Sequence, residues 1–215
     1  MQRPTDRFAA VLLALLAASC GATRAEPRPP IVQPGAPGQS SRVITADTAV
    51  DLSRVQHTAA DVRFMQGMIG HHAQAVEMTA LLASRTTSAD MGQLGRRIEV
   101  SQADEIKMMQ RWLEARGQEV PGAHAHHMAS ATLMPGMLTQ PEMDHLAGAK
   151  GAEFDRLFLE GMIKHHEGAL VMVKELFATP GAGQESEIFA FASDVDADQR
   201  MEIERMRGML KERQK

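Results

Sequence analysis

Two copies of one helical motif constrain the fold of this chain more than any other feature of its sequence. The first copy runs from Phe64 to Met78, and the second runs from Phe158 to Met172. Both follow the pattern Phe-x-x-x-Met-Ile-x-His-His-x-x-Ala-x-x-Met, with Val or Leu directly after the Ala. A repeat of this length indicates that the fold is built from two similar units.

A second pair of repeated segments follows the first. The pattern Gln-x-x-Glu-Ile-x-x-Met begins at Gln102 and again at Gln199. Apolar residues recur at helical spacing from residue 52 to the end of the chain, and no segment there alternates as a strand would. The sequence therefore predicts an all-α protein, a four-helix bundle made of two helical hairpins at about 58–117 and 152–213.

Capping residues locate the ends of these helices. Thr58 with Asp61 predicts the start of a first long helix that runs to about Ser84, and Thr87 with Asp90 predicts the start of a second that ends near Gly117. Thr139 with Glu142 predicts a short helix at about 141–146. Two further long helices are expected at about 152–178 and 185–212. A long connection, about 118–140, joins the two hairpins.

The N-terminal residues are expected to be an export signal. Residues 1–20 combine a charged start with an apolar stretch that is too short to span a bilayer. Cys20, the only cysteine, follows small residues as in a bacterial lipobox, which predicts an envelope or periplasmic lipoprotein held to the membrane if Cys20 is lipidated. Residues 21–50 are rich in proline and predict a flexible linker before the bundle at 51–215.

Composition and motifs restrict the function. The net charge of −4 argues against nucleic acid as a partner. No Ser-His-Asp arrangement or phosphate-binding loop is present, so the sequence gives no positive sign of an enzyme, although redox catalysis stays open. The sequence identifies no protein partner.

Methionine and histidine are the candidate metal ligands. The chain has 16 Met and no Tyr, and Met68 shares a helix face with His71 and His72. Adjacent histidines point about 100° apart around a helix, so one of each pair is expected to face inward and the other a groove. Thioether and imidazole without thiolate suit Cu(I) or Ag(I).

The doubled motif, the Gln-x-x-Glu-Ile helices and the segment Met134-Pro135-Gly136-Met137 resemble the family called domain of unknown function 305. The resemblance covers residues 55 to 213. It implies a ferritin-like bundle in the cell envelope, and CopM-like members of the family bind copper and in some cases silver. By this resemblance, the expected metal ligands are Met68, His71, His72, Met78, Met162, His165, His166 and Met172.

Further residues are expected to support these ligands. Carboxylates or amides on the second and fourth helices would orient the histidine rings, and the candidates are Gln102, Glu105, Gln199 and Glu202. A weaker site is expected in the long connection, because a segment that orders on binding loses entropy. Its candidate ligands are His124, His126, His127 and Met128.

Two alternatives remain open beside copper or silver binding. The first is a ferritin-like di-iron or copper redox enzyme, although the only Glu-x-x-His spacing is Glu142 with His145, on the short helix. The second is a metal-free envelope interaction module, in which Met fills the core. For the metal-binding hypothesis, the repeat predicts two equivalent sites, each using the Met and His of one copy.

Overall fold

The computed structural model describes residues 30–33, 40–50, 55–122 and 133–213. The chain divides into two compact units, residues 1–50 and residues 51–215. The predicted signal segment with Cys20 lies outside the described residues. The predicted loop ligands His124, His126, His127 and Met128 also lie outside them.

The N-terminal unit contains short regular elements in the segment expected to be a flexible linker. Strands β1 (Ile31–Gln33) and β2 (Arg42–Ile44) pair antiparallel, with Val32 opposite Val43. Helix α1 (Ala46–Val50) follows. The proline-rich composition did not indicate this pairing, which uses one of the few β-branched runs in the segment.

The described part of residues 51–215 forms four long helices and two short ones. The long helices are α2 (Ala59–Ala80), α4 (Ala89–Ala115), α6 (Gly151–Ala178) and α7 (Ser186–Arg213), and the short ones are α3 (Leu82–Arg85) and α5 (Gln140–Gly148). Helix α2 packs on α4, α6 packs on α7, and α2 and α6 join the two hairpins. The predicted all-α, ferritin-like four-helix bundle is confirmed. None of the described helices is both long and apolar enough to cross a membrane.

Capping boxes begin two of these helices as predicted. The Thr58 N–H donates to Asp61 Oδ2 at 2.6 Å, and the Asp61 N–H donates to Thr58 Oγ1 at 3.2 Å. Asp61 also accepts a hydrogen bond from the Gly183 N–H at 2.7 Å, which ties the start of α2 to the loop between α6 and α7. Thr139 and Glu142 form the same box at α5.

Two helix ends differ from the prediction. The first long helix was expected to reach Ser84, but α2 ends at Ala80, where the Leu81 N–H donates to Met78 O in a tightened last turn. Ser88, not Thr87, is the N-cap of α4. Its hydroxyl bonds the Asp90 carboxylate instead of the backbone, so the expected cap is not formed.

The core consists of two apolar clusters with the histidine pairs between them along α2 and α6. One cluster contains Met68 and Met172 together with Trp112. The other contains Met78 and Met162. Because α2 and α6 run past each other in opposite directions, each cluster receives methionines from both repeats.

Candidate metal centre

The four histidines of the repeated motif meet in the middle of the bundle, and all are fully buried. The His71 and His165 rings contact each other across the two repeats, with centroids 3.8 Å apart. The centroids of adjacent rings lie 6.3 Å apart for His71 and His72, and 6.2 Å apart for His165 and His166. One histidine of each pair was expected to face a groove. Both are buried because α2 contacts α4 as well as α6, and α6 contacts α7 as well as α2.

The outer histidine of each pair contacts a carboxylate on the neighbouring helix. His72 Nε2 lies 2.5 Å from Glu105 Oε2 on α4, and His166 Nε2 lies 2.7 Å from Glu202 Oε2 on α7. The two glutamates are 22% and 14% exposed, so each reaches inward from the bundle surface. These contacts match the geometry expected of a carboxylate that orients a ligating imidazole.

The two central histidines use backbone carbonyl groups instead. His71 Nε2 donates to Pro135 O at 3.0 Å, and His165 Nε2 donates to His71 O at 2.9 Å. Burial lowers the pKa of His71 to about 3, with a further contribution from neighbouring His72. Burial also holds the pKa of His165 well below its ordinary value, and the other three histidines act in the same direction. Both rings are therefore neutral at pH 7.

The other ring nitrogen of each histidine has no hydrogen-bond partner among the described residues. In all four rings this atom is Nδ1, and it is buried. A ring nitrogen that faces an oxygen acceptor carries the hydrogen, so Nδ1 of the neutral ring holds the lone pair. An unpartnered buried polar group costs about 1–3 kcal/mol. The centre thus presents four buried ring nitrogens without a partner among the described residues, and in the neutral rings of His71 and His165 this nitrogen can donate its lone pair to a metal ion.

The predicted supporting residues divide into two types. Glu105 and Glu202 contact the histidines directly. Gln102 and Gln199 are buried one helical turn before these glutamates, and their side-chain Oε1 atoms have no hydrogen-bond partner in the described part of the chain. The glutamines therefore add two more buried acceptors, each three residues before a glutamate that contacts a histidine.

The four predicted methionine ligands are buried and grouped by end of the bundle, not by repeat. Met68, Met78 and Met162 are fully buried, and Met172 is 8% exposed. The Met172 methyl group packs on Gly67 of the other repeat, and the Met78 methyl group packs on Gly161. Each end thus draws its thioethers from both copies, which differs from the expectation that one copy supplies one site.

The histidines and carboxylates do not by themselves form a ready coordination sphere. Within the described residues, no three His, Cys, Asp or Glu side chains are arranged to hold a metal ion. A metal at this centre would therefore need methionine sulfur or rotated rings in addition. The Glu142 and His145 pair lies on the exposed face of α5, where Glu142 bonds Lys164 at 2.7 Å, so it adds no carboxylate to the core.

Met134 and Pro135 belong to the surroundings of the centre, but neither was predicted as a site residue. Pro135 contributes its carbonyl group to His71, and a backbone atom leaves no side-chain signal in the sequence. The Met134 sulfur lies against Gly67 beside the Met172 methyl group. The only sequence signal for this segment was its resemblance to the family motif.

Comparison with known proteins places the chain among helical bundles of one family. It is 30% identical to a protein from Streptomyces coelicolor described as secreted, with a TM-score of 0.61, over 72% of this chain and 93% of that one. It is 28% identical to a fragment from Deinococcus radiodurans, with a TM-score of 0.62, over 73% and 98% of the two chains. None of the curated proteins matches the chain.

A third similar structure is described as metal-bound. It is CopM in the Cu(I)-bound form, 28% identical with a TM-score of 0.55, over 73% of this chain and 98% of that one. CopM has also been solved in Cu(II)-bound and Ag-bound forms. The profile of the family described as "Domain of unknown function (DUF305)" matches residues 61–210, most of the bundle. The chain belongs to the DUF305 family.

Proposed function

We propose that this protein is an exported cell-envelope protein that binds Cu(I) or Ag(I) in the core of its helical bundle and buffers or passes on the ion. The observation that carries the proposal is the group of four buried histidines whose Nε2 atoms all contact an oxygen and whose Nδ1 atoms have no partner among the described residues. The similarity to CopM, which has been solved with copper and silver bound, supports the same ligand class.

The donor chemistry favours a soft monovalent ion. Imidazole nitrogens lie between two groups of buried methionines, and the described residues include no cysteine. Thioether sulfur with imidazole selects Cu(I) or Ag(I) over hard cations that prefer oxygen. Glu105 and Glu202 would hold the outer rings with Nδ1 available, while the apolar clusters on both sides exclude water.

The export signal supports a location outside the cytoplasm. Residues 1–20 have the charged and apolar segments of a signal peptide, and Cys20 would carry a lipid anchor. The similar Streptomyces coelicolor protein is described as secreted, which agrees with export. Metabolic labelling with a fatty acid, compared between the parent chain and Cys20→Ser, tests the anchor.

Anaerobic titration with Cu(I) against a competing chelator tests metal binding. The mature protein with Cys20→Ser is suitable because all remaining sulfur is thioether. We expect binding much tighter than that of free methionine and imidazole. Binding no tighter than these small molecules would refute the proposal and favour the metal-free interaction module, and stoichiometric metal in protein purified from its native envelope would argue against that alternative.

Paired substitutions test how the two ends of the bundle contribute to metal binding. The first variant combines Met68→Leu with Met172→Leu, and the second combines Met78→Leu with Met162→Leu. Each replaces the two predicted methionine ligands at one end with side chains of similar volume, so the helical content should be unchanged. Met201→Leu, at a site 64% exposed on α7, is the matched control. If each variant removes part of the tight binding, the ends act separately. If either abolishes it, the centre is a single shared site.

A further inference from the structure

Residues 133–139, here called the strap, cross the bundle over α6 before α5 begins. Gly136 adopts a φ of +76° and packs its backbone directly on Gly168 of α6. A Cβ on Gly168 would overlap the Pro135 carbonyl group, and a Cβ on Gly136 would overlap the Lys164 carbonyl group. The backbone of the strap therefore contacts the backbone of α6 directly, and this close approach requires glycine at both Gly136 and Gly168.

Hydrogen bonds from α2 fix the strap on its other side. Gln74 makes two bonds to Leu138, donating to its carbonyl oxygen at 2.9 Å and accepting from its N–H at 2.8 Å. His71 donates to Pro135 O at 3.0 Å. Both α2 side chains are buried, so these bonds are shielded from water. The position of each strap residue relative to α2 and α6 is thus set on both sides.

This placement puts one thioether of the strap at an open cavity. The Met134 sulfur lies 3.1 Å, and the Met172 methyl group 3.5 Å, from where a Cβ on Gly67 would stand. Both methionines line a cavity of about 320 Å³, together with Phe64, Gly67 and Pro135. Met134 is only half-buried, whereas the four histidines have no exposed surface.

The equivalent position at the other end of the bundle has a leucine of the strap beside its methionine. Gly161 is the repeat partner of Gly67, and the Met78 methyl group lies 3.3 Å from its Cβ position. Where Met134 stands at the first end, the strap presents Leu138 at the second, with a methyl carbon 3.2 Å from the same position. The strap thus makes the two ends chemically different although the repeats are alike.

We propose that Met134 and Met172 form an access site, where a soft monovalent cation first binds before it reaches the buried histidines. This inference rests on the proposed metal-binding function and adds Met134 as a ligand. Two thioether side chains that line a solvent-open cavity suit Ag(I) or Cu(I), and Arg63 and Glu175 on the same cavity have opposite charges that cancel. His71 lies one helical turn from Gly67, so the access site adjoins the centre.

Methyl NMR with Ag(I), which keeps its oxidation state during the titration, tests the access site. The mature chain with Cys20→Ser is labelled with 13C at its methionine methyl groups, and Met134→Leu and Met172→Leu assign the two resonances. In a titration below one equivalent, we expect these two resonances to shift first and together. Stopped-flow mixing with a silver-sensitive dye then measures uptake, and Met134→Leu should slow it at least about tenfold, the loss typical of a disturbed metal site.

Two further variants sharpen the test. Leu138→Met supplies the missing thioether at the second end and should create a second resonance pair, with Met78, that responds early to Ag(I). Met201→Leu removes an exposed methionine on α7 and should leave uptake unchanged. If Ag(I) binds tightly while the Met134 resonance does not move, the access site is wrong and the proposed function stands. If Ag(I) does not bind and no methionine resonance moves, both are wrong.

Discussion

Glu105 and Glu202 give the most direct test of how the bundle prepares its histidines. Each carboxylate holds a fully buried ring through Nε2, at 2.5 Å for His72 and 2.7 Å for His166. In Glu105→Gln the amide oxygen can still accept the bond, but the negative charge is lost. Hydrogen bonds to charged groups contribute about 1.5–3 kcal/mol and neutral ones about 0.5–1.5, so the free energy of unfolding should fall by about 1 kcal/mol.

The second oxygen of each carboxylate predicts a difference between the two variants. Ser101 donates to Glu105 Oε1 at 3.2 Å, and the Ser101 hydroxyl can instead accept from a glutamine amide. Arg97 lies 3.6 Å from Glu202 Oε1 and cannot accept a hydrogen bond. Glu202→Gln would turn its amide hydrogens toward this guanidinium group, so it should be destabilised more than Glu105→Gln. The difference should be small because Arg97 is half exposed.

Urea unfolding of the metal-free protein and Cu(I) competition measure the two effects separately. The single tryptophan, Trp112, provides a fluorescence signal in the core. Loss of the orienting carboxylate should weaken Cu(I) binding about 10- to 100-fold. Glu204→Gln is the control, because Glu204 lies on the same helix as Glu202 and its side chain is 73% exposed. It should change the free energy of unfolding by less than about 0.5 kcal/mol. If both glutamine variants match this control in stability and affinity, the glutamates do not prepare the histidines.

Two other predictions concern the metal-free protein. Acid should destabilise it, because histidines in the unfolded chain take up protons below their ordinary pKa of 6.5, whereas the pKa of His71 is about 3 and that of His165 is also lowered. In urea unfolding between pH 7 and 5, the free energy of unfolding should fall by an amount approaching about 1.4 kcal/mol per pH unit for each ring. A flat profile would contradict the burial of these rings as neutral groups. Gly168→Ala should cost about 1–3 kcal/mol because its Cβ overlaps Pro135 of the strap, while Gly208→Ala, in open space on α7, should stabilise by up to about 1 kcal/mol; equal effects in thermal unfolding would refute the strap contact.

Local patterns were sufficient to predict most of the helices. The capping boxes at Thr58 and Thr139 formed as expected because both partners lie within one turn of chain. Thr87 failed as a cap because Ser88, one residue later, offered an equally suitable start. The repeat identified the four histidines as two matched pairs, and the matching positions of Glu105 and Glu202 predicted that carboxylates would lie beside their rings.

Contacts between distant segments could not be predicted in the same way. The burial of His72 depends on where α4 lies against α2, and helical spacing within α2 does not contain that information. The contact of Met134 with Gly67 likewise depends on the strap, whose path is set by two glycines and by Gln74. Glycine and glutamine have many roles in proteins, so neither residue type predicted this placement from sequence.

The strap gives the two halves of a doubled sequence different surroundings. The repeats place the rings of His71 and His165 in contact, and an exact repeat would give both rings the same surroundings. The strap is a single segment that contacts α2 of one repeat and α6 of the other, so it presents different residues to each. His71 therefore bonds a strap carbonyl group, while His165 bonds the carbonyl group of His71. The strap also places the Met134 thioether at Gly67 but the Leu138 side chain at the equivalent Gly161. If the two ends bind metal, their affinities and rates of access must differ for this reason, even where their helical ligands are the same.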